Sequence, residues 1–131
     1  MANIKIFQKG VRVQISKNFF STEFDCNCSY PECKETPIDV DHVAKLQEKR
    51  DKWGKSIKIN SGYRCPRRNK EEGGASKSRH LVTDASDIVV SGMTPDEVAD
   101  DCENFAGLGR YSTFTHVDSR PYKARWDFRK K

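Results

Sequence analysis

Ser78-Arg79-His80-Leu81-Val82-Thr83-Asp84-Ala85-Ser86-Asp87-Ile88-Val89-Val90 runs from a polar loop into an apolar strand, and it sets a histidine and an aspartate seven positions apart. Thr115-His116-Val117-Asp118 answers it downstream with a second histidine at the end of a strand-like run. Two imidazoles and one carboxylate suit zinc, and leaving the fourth position to water marks a catalytic rather than a structural site. Zinc lowers the pKa of such a water and polarises a carbonyl. The pattern points to a metal-dependent hydrolase that uses His80, Asp87 and His116 as ligands.

Strand alternation sorts the neighbouring side chains. Asp87 shares a face with Ala85 and Val89, while Ser86, Ile88 and Val90 take the other. Tyr111 to Asp118 reads as a strand on which His116 shares its face with Phe114 and Asp118, with Thr113, Thr115 and Val117 turned away. Same-face neighbours stand about 7 Å apart, so Asp118 reaches the surroundings of a metal held by His116. It is suited either to orient that ligand or to act as a general base. Asp84 is the fallback base.

The chain has 131 residues, which suits one domain with one core, and only three histidines, two of them in this set. A net charge of +5 favours anionic partners, either nucleic acid or the anionic polymers of a bacterial envelope. Base-stacking aromatics interleaved with basic residues are sparse, which argues against a specific nucleic-acid partner. No apolar run approaches transmembrane length, and the first ten residues lack a signal-peptide core. The expectation is a chain made in the cytoplasm with no membrane insertion.

Outward from the ligand motif, residues 1–17 alternate around Ile4, Ile6, Val11, Val13 and Ile15 and predict one or two short strands. Residues 18–37 read as irregular, with a helical turn at Ser21-Thr22-Glu23. Asp39 to Trp53 predicts a helix closed by Gly54, with His42 in its first turn as an ordinary surface or half-buried histidine. Ile57 to Tyr63 predicts a strand running into a turn, followed by a short helix at Arg67–Glu72 and a break at Gly73-Gly74. Thr94-Pro95-Asp96-Glu97 carries the marks of a capping box with proline at N1, and the helix it opens is expected to run to about Phe105 and stop at Gly107-x-Gly109. The tail from Lys123 to Lys131 is expected to fray. These elements make an α+β domain with a small, largely antiparallel sheet and flanking helices. The expected division is an N-terminal strand extension (1–17), a core (18–127) and a basic tail (128–131).

The five cysteines form no complete disulfide framework by number. Cys102 lies in a helical pattern and reads as core. Cys26-x-Cys28-x4-Cys33 clusters in a polar loop, and Cys65 sits in another. These four are read as a structural zinc site, as one disulfide between the cluster and Cys65, or as free buried thiols.

Taken together, Ser78-x-His80-x6-Asp87 with Ala85 between resembles the Ser-x-His-x2-Gly-x-Ala-x-Asp motif of the zinc D-alanyl-D-alanine carboxypeptidase family. These are peptidoglycan peptidases of the wider group that includes hedgehog-type zinc domains. Phe20-Ser21-Thr22-Glu23-Phe24, Ile57-x-Ile59-Asn60-Ser61-Gly62-Tyr63-Arg64, Gly73-Gly74-Ala75, Phe114-x-His116-Val117-Asp118 with Arg120, and Lys123-Ala124-Arg125-Trp126 match further family segments in order. The resemblance spans roughly residues 18–127. It implies zinc on His80, Asp87 and His116. It also implies that Arg64 and Ser78 bind the carboxylate or amide groups of a peptidoglycan stem peptide, and that its amide is hydrolysed by a carboxypeptidase or an endopeptidase.

Two departures stand out. Thr83 replaces the motif glycine. Thr113 and Phe114 occupy positions where many relatives carry an acid or histidine, which leaves Asp118 as the expected base or orienter of one. A short chain with no signal-peptide core fits a phage-lysis or tail-associated enzyme acting at the bacterial cell wall, with other virion proteins as further partners. The rival is a catalytically weak virion or wall-binding domain that keeps the zinc fold.

Overall fold

The computed structural model describes residues 3–71, 79–82 and 84–130. Gly73, Gly74, Ala75, Ser78 and Thr83 lie outside the described residues. In chain order the regular elements are β1 (Ile4–Gln8), β2 (Glu35–Asp39), α1 (Val40–Trp53), β3 (Ile57–Ser61), α2 (Pro66–Glu71), β4 (Ala85–Val90), α3 (Pro95–Asp100), β5 (Gly107–Arg110), β6 (Thr115–Asp118) and β7 (Ala124–Asp127). Two 3-10 turns, Ser21–Phe24 and Arg79–Val82, complete them. β1 and β2 form a two-stranded antiparallel ribbon, and the other strands form one sheet in the order β3-β4-β6-β5-β7. Only the β5–β7 pairing is parallel, so the sheet is largely antiparallel, as the sequence predicts.

α1 forms where its caps and its spacing agree. The Asp39 carboxylate accepts from the amides of Asp41 and His42, and Gly54 takes the left-handed conformation at φ 60° that glycine adopts without strain. Its inward residues Val43 and Leu46 meet Ile88 and Val90 of β4, Leu108 of β5, Val117 of β6, and Val98 and Ala99 of α3 in one apolar core. One face of the sheet is thus sealed by helices and the other is free to carry polar groups.

Several elements differ from expectation, among them β6, which begins at Thr115 rather than at Tyr111. α3 stops at Asp100 because the chain tightens into i→i+3 turns, with Asp101 and Cys102 amides donating to Val98 and Ala99 carbonyls. The Asp101 carboxylate is held outside by Lys52 and by the Trp53 indole. Cys102 is core, but it lies past the helix. Gly107-x-Gly109 builds a central strand instead of only ending a helix, and the expected fraying tail supplies the edge strand β7. β2 arises within and just beyond the stretch read as irregular; Pro37 is tolerated there because the ribbon has only two strands. Of the run from Val11 to Ile15, a single bridge between Gln14 and Phe20 forms.

Leu46 is fully buried between α1 and the sheet. Leu46→Ala is expected to cost about 2–5 kcal/mol of stability. The check is a fall in the denaturant midpoint at unchanged slope.

Candidate metal centre

The β4–β6 ladder sets Asp87 opposite His116 and Ala85 opposite Asp118. On the far side of β6, Gly109 faces His116 and Gly107 faces Asp118, and β7 places Trp126 beside Gly109. Side chains at these positions share the face away from the core. The two glycines have a steric reason: a Cβ on Gly107 would fall on the Asp118 carboxylate, and one on Gly109 on the Trp126 indole. Trp126 consequently lies with its ring centre 5.0 Å from that of His116.

His80 reaches the same place from the Arg79–Val82 turn. Its Nδ1 donates to the Gly62 carbonyl at 2.6 Å, which leaves Nε2 facing Asp87 Oδ1 at 3.3 Å. His116 meets the same Asp87 oxygen through Nδ1 at 2.9 Å, while its Nε2 donates to Asp118 Oδ2 at 2.7 Å. Nε2 of His80, Nδ1 of His116 and an Asp87 oxygen all lie within 4.8 Å of one another. Tetrahedral zinc at about 2.0–2.1 Å from nitrogen and oxygen ligands needs ligand separations near 3.3–3.4 Å. The donor set fits zinc in a second respect: each histidine is anchored through its other nitrogen to an acceptor, which selects the ligating tautomer.

Charge reinforces the arrangement. Burial pushes the Asp87 carboxyl upward, but its bonds to His116 and His80 outweigh this and hold it well below the usual carboxylate range. Burial opposes the charged form of His116, yet the bonds it donates to Asp118 and Asp87 raise its pKa.

Asp118 is fully buried. Its Oδ1 accepts from the Arg120 amide and Nε, and its Oδ2 from Arg120 NH2 and His116. Burial would raise its pKa; the hydrogen bonds from Arg120 and His116 outweigh burial and keep it ionised. This is the geometry of a carboxylate that orients a histidine, with both oxygens engaged. Asp84, the fallback base, is held by Arg79 through both oxygens, at 3.2 and 2.6 Å. Where an acidic residue was sought before His116, Thr113 is exposed and Phe114 stacks on Tyr111 at 4.3 Å. Arg64 borders the site: its NH2 is 3.9 Å from Asp87 Oδ2, and its NH1 donates to Asn69 Oδ1 at 3.0 Å.

His42 corrects the expectation of a surface or half-buried histidine, being 1% exposed. It pairs with Ser119 Oγ at 2.8 Å and Ser86 Oγ at 3.0 Å beneath the ligand strands, and burial drives its pKa down to about 3. Its helix position gave no sign of this, because Ser86 and Ser119 are distant in sequence. The roles of Trp126 and the two glycines are not legible in the sequence, where Gly107-x-Gly109 reads as a helix stop. Cys26, Cys28, Cys33 and Cys65 come together away from this site.

A family model described as Peptidase M15 matches residues 17–118. No curated protein matches the chain.

A metal bound at His116 Nδ1 would compete with a proton for that nitrogen. Affinity should therefore climb about tenfold per pH unit toward the raised pKa of His116 and level off above it. The metal-free protein behaves oppositely. The imidazolium pairs stabilise it fully below the ordinary histidine pKa, and that contribution is lost as pH rises through the raised value. Asp118→Asn is expected to weaken metal binding by about 10–100-fold and to move the affinity profile to lower pH. Competition titrations against a chelator across pH check both.

Proposed function

The chain belongs to the M15 peptidases, a family of zinc peptidases that act on peptidoglycan, and on that footing we propose that it hydrolyses an amide bond in peptidoglycan stem peptides. The reaction is that of a D-alanyl-D-alanine carboxypeptidase or an endopeptidase, in phage lysis or on a virion tail, at the bacterial cell wall. The observation that carries this reading is the convergence of His80, Asp87 and His116 with both imidazoles anchored in ligating tautomers. No helix among the described residues is long and apolar enough to cross a membrane, and the reading needs none.

His80, Asp87 and His116 would hold zinc, which when bound supplies a Lewis acid for the scissile carbonyl and a means of activating water. The Gly62 carbonyl and Asp118 hold the two histidines in register. Asp118 is proposed as the residue that positions His116, since its oxygens are already taken by Arg120 and His116. Arg64, beside Asp87 and poised at the rim, would recognise a stem-peptide carboxylate through its planar fork. Ser78 is proposed as a further substrate contact. Trp126, with the Arg120 guanidinium 5.2 Å above its ring, walls the site.

The absence of an acid at Thr113 and Phe114, together with the engagement of both Asp118 oxygens, favours one second reading: a virion or wall-binding domain with weak turnover. The two separate on purified sacculi. Mass spectrometry of released muropeptides should show new stem-peptide fragments from the wild type, abolished by chelation, restored by zinc, and missing from His116→Ala. Zinc-loaded protein that binds sacculi without releasing fragments would favour the wall-binding domain. Arg64→Lys should lower kcat/KM about tenfold or more, as expected for one lost charge-assisted hydrogen bond.

A further inference from the structure

We propose that Cys26, Cys28, Cys33 and Cys65 form a second metal site, a structural zinc held by four thiolates, using none of the residues of the peptidase site. Their sulfurs all lie within 4.8 Å of one another, and Cys28 Sγ stands 3.9 Å from Cys65 Sγ. A zinc tetrathiolate with bonds of about 2.3 Å has sulfur–sulfur edges of about 3.8 Å. Each sulfur is close to all three others, which is the pattern of a tetrahedron. Disulfides would sort the four into bonded pairs, and all of them are free thiols here.

The surroundings suit a negatively charged cluster. Lys9 Nζ lies 3.3 Å from Cys28 Sγ and also donates to the Cys28 carbonyl at 2.7 Å. The Cys65 amide donates to Cys26 Sγ at 3.4 Å. Cys26, Cys33 and Cys65 are buried, and among the described residues the small core they make consists of the cysteines with Tyr30 and Tyr63 against them. Soft thiolates in a tetrahedron select zinc among abundant divalent ions.

Placement gives the site its task. Cys26 and Cys28 follow the first 3-10 turn, Cys33 ends a tight turn in which its amide donates to the Tyr30 carbonyl, and Cys65 stands immediately before α2. Residues 25–34 contain no regular helix or strand and are held by scattered side-chain contacts, Gly10 to Asp25, Asn27 to the Asn60 carbonyl and Arg67 to Glu32 among them. Cys65 directly follows Arg64, and Gly62, three residues before Cys65, anchors His80. A metal at the four sulfurs would fasten the irregular N-terminal loop to the segment that carries both groups.

The test uses the full chain, purified under reducing conditions and loaded with Zn2+ or Co2+. Wild type should hold two zinc ions per chain and His116→Ala one. Cobalt-loaded His116→Ala should show a strong sulfur-to-cobalt charge-transfer band. A Cys28→Ser/Cys33→Ser variant should lose one ion, and Cys102→Ser none. Alkylation of zinc-loaded wild type should spare the four thiols until a chelator is added, and should reach Cys102 only in denaturant. Folded His116→Ala that binds no metal would overturn the proposal. So would alkylation of the four thiols in the presence of zinc, or a wild-type mass lowered by disulfide formation. Because His116→Ala isolates the sulfur site, these outcomes are independent of whether the chain cleaves peptidoglycan.

Discussion

Asp87 faces His116 across the antiparallel β4–β6 ladder, and the rest of the site follows from that pairing. The register puts Ala85 against Asp118 on the same face, so a small side chain leaves room for the carboxylate that holds His116. A slip of one residue would send the candidate ligands into the core and Ile88 and Val117 into their place. The apolar set Ile88, Val90, Leu108 and Val117 is packed against α1 and α3. The burial that stabilises the domain therefore also prevents the slip, and the core and the candidate metal site are two faces of one sheet.

Charges this deep must be paired, because removing an ion from water costs several kcal/mol. Asp87 is met by the two histidines, Asp118 by His116 and Arg120, and Asp84 by Arg79. Arg120 and Asp118 are two residues apart at the end of β6, so one local fork engages both oxygens of the carboxylate, and Oδ2 is shared with the histidine. The same economy explains β5: its glycines remove the side chains that would otherwise occupy the space of Asp118 and Trp126.

The segment from Gly62 to Cys65 joins two chemistries within four residues. Gly62 fixes the tautomer of His80, Tyr63 packs against the sulfur cluster, Arg64 lies against Asp87, and Cys65 enters the cluster itself. A Cβ at Gly62 would press on the Phe24 backbone and ring, so the segment lies close against the 3-10 turn that precedes Cys26. Small displacements of this loop would reach both sites.

The α1 helix, the strands β3 and β4, and the start of α3 are legible in the sequence, since caps, proline at N1 and alternation are local signals read within a few residues. The sequence also singled out His80, Asp87 and His116, and the face that Asp118 shares with His116. It did not show β2, β5 or β7. Pro37, two glycines and a basic tail have poor strand propensity, and their pairing is dictated by neighbours remote in the chain. Contacts between remote segments settle that His42 is buried beneath the candidate ligands and that Cys65 meets the three cysteines of residues 26–33. Each of these depends on long-range distances set by sheet register and packing, which no local pattern encodes.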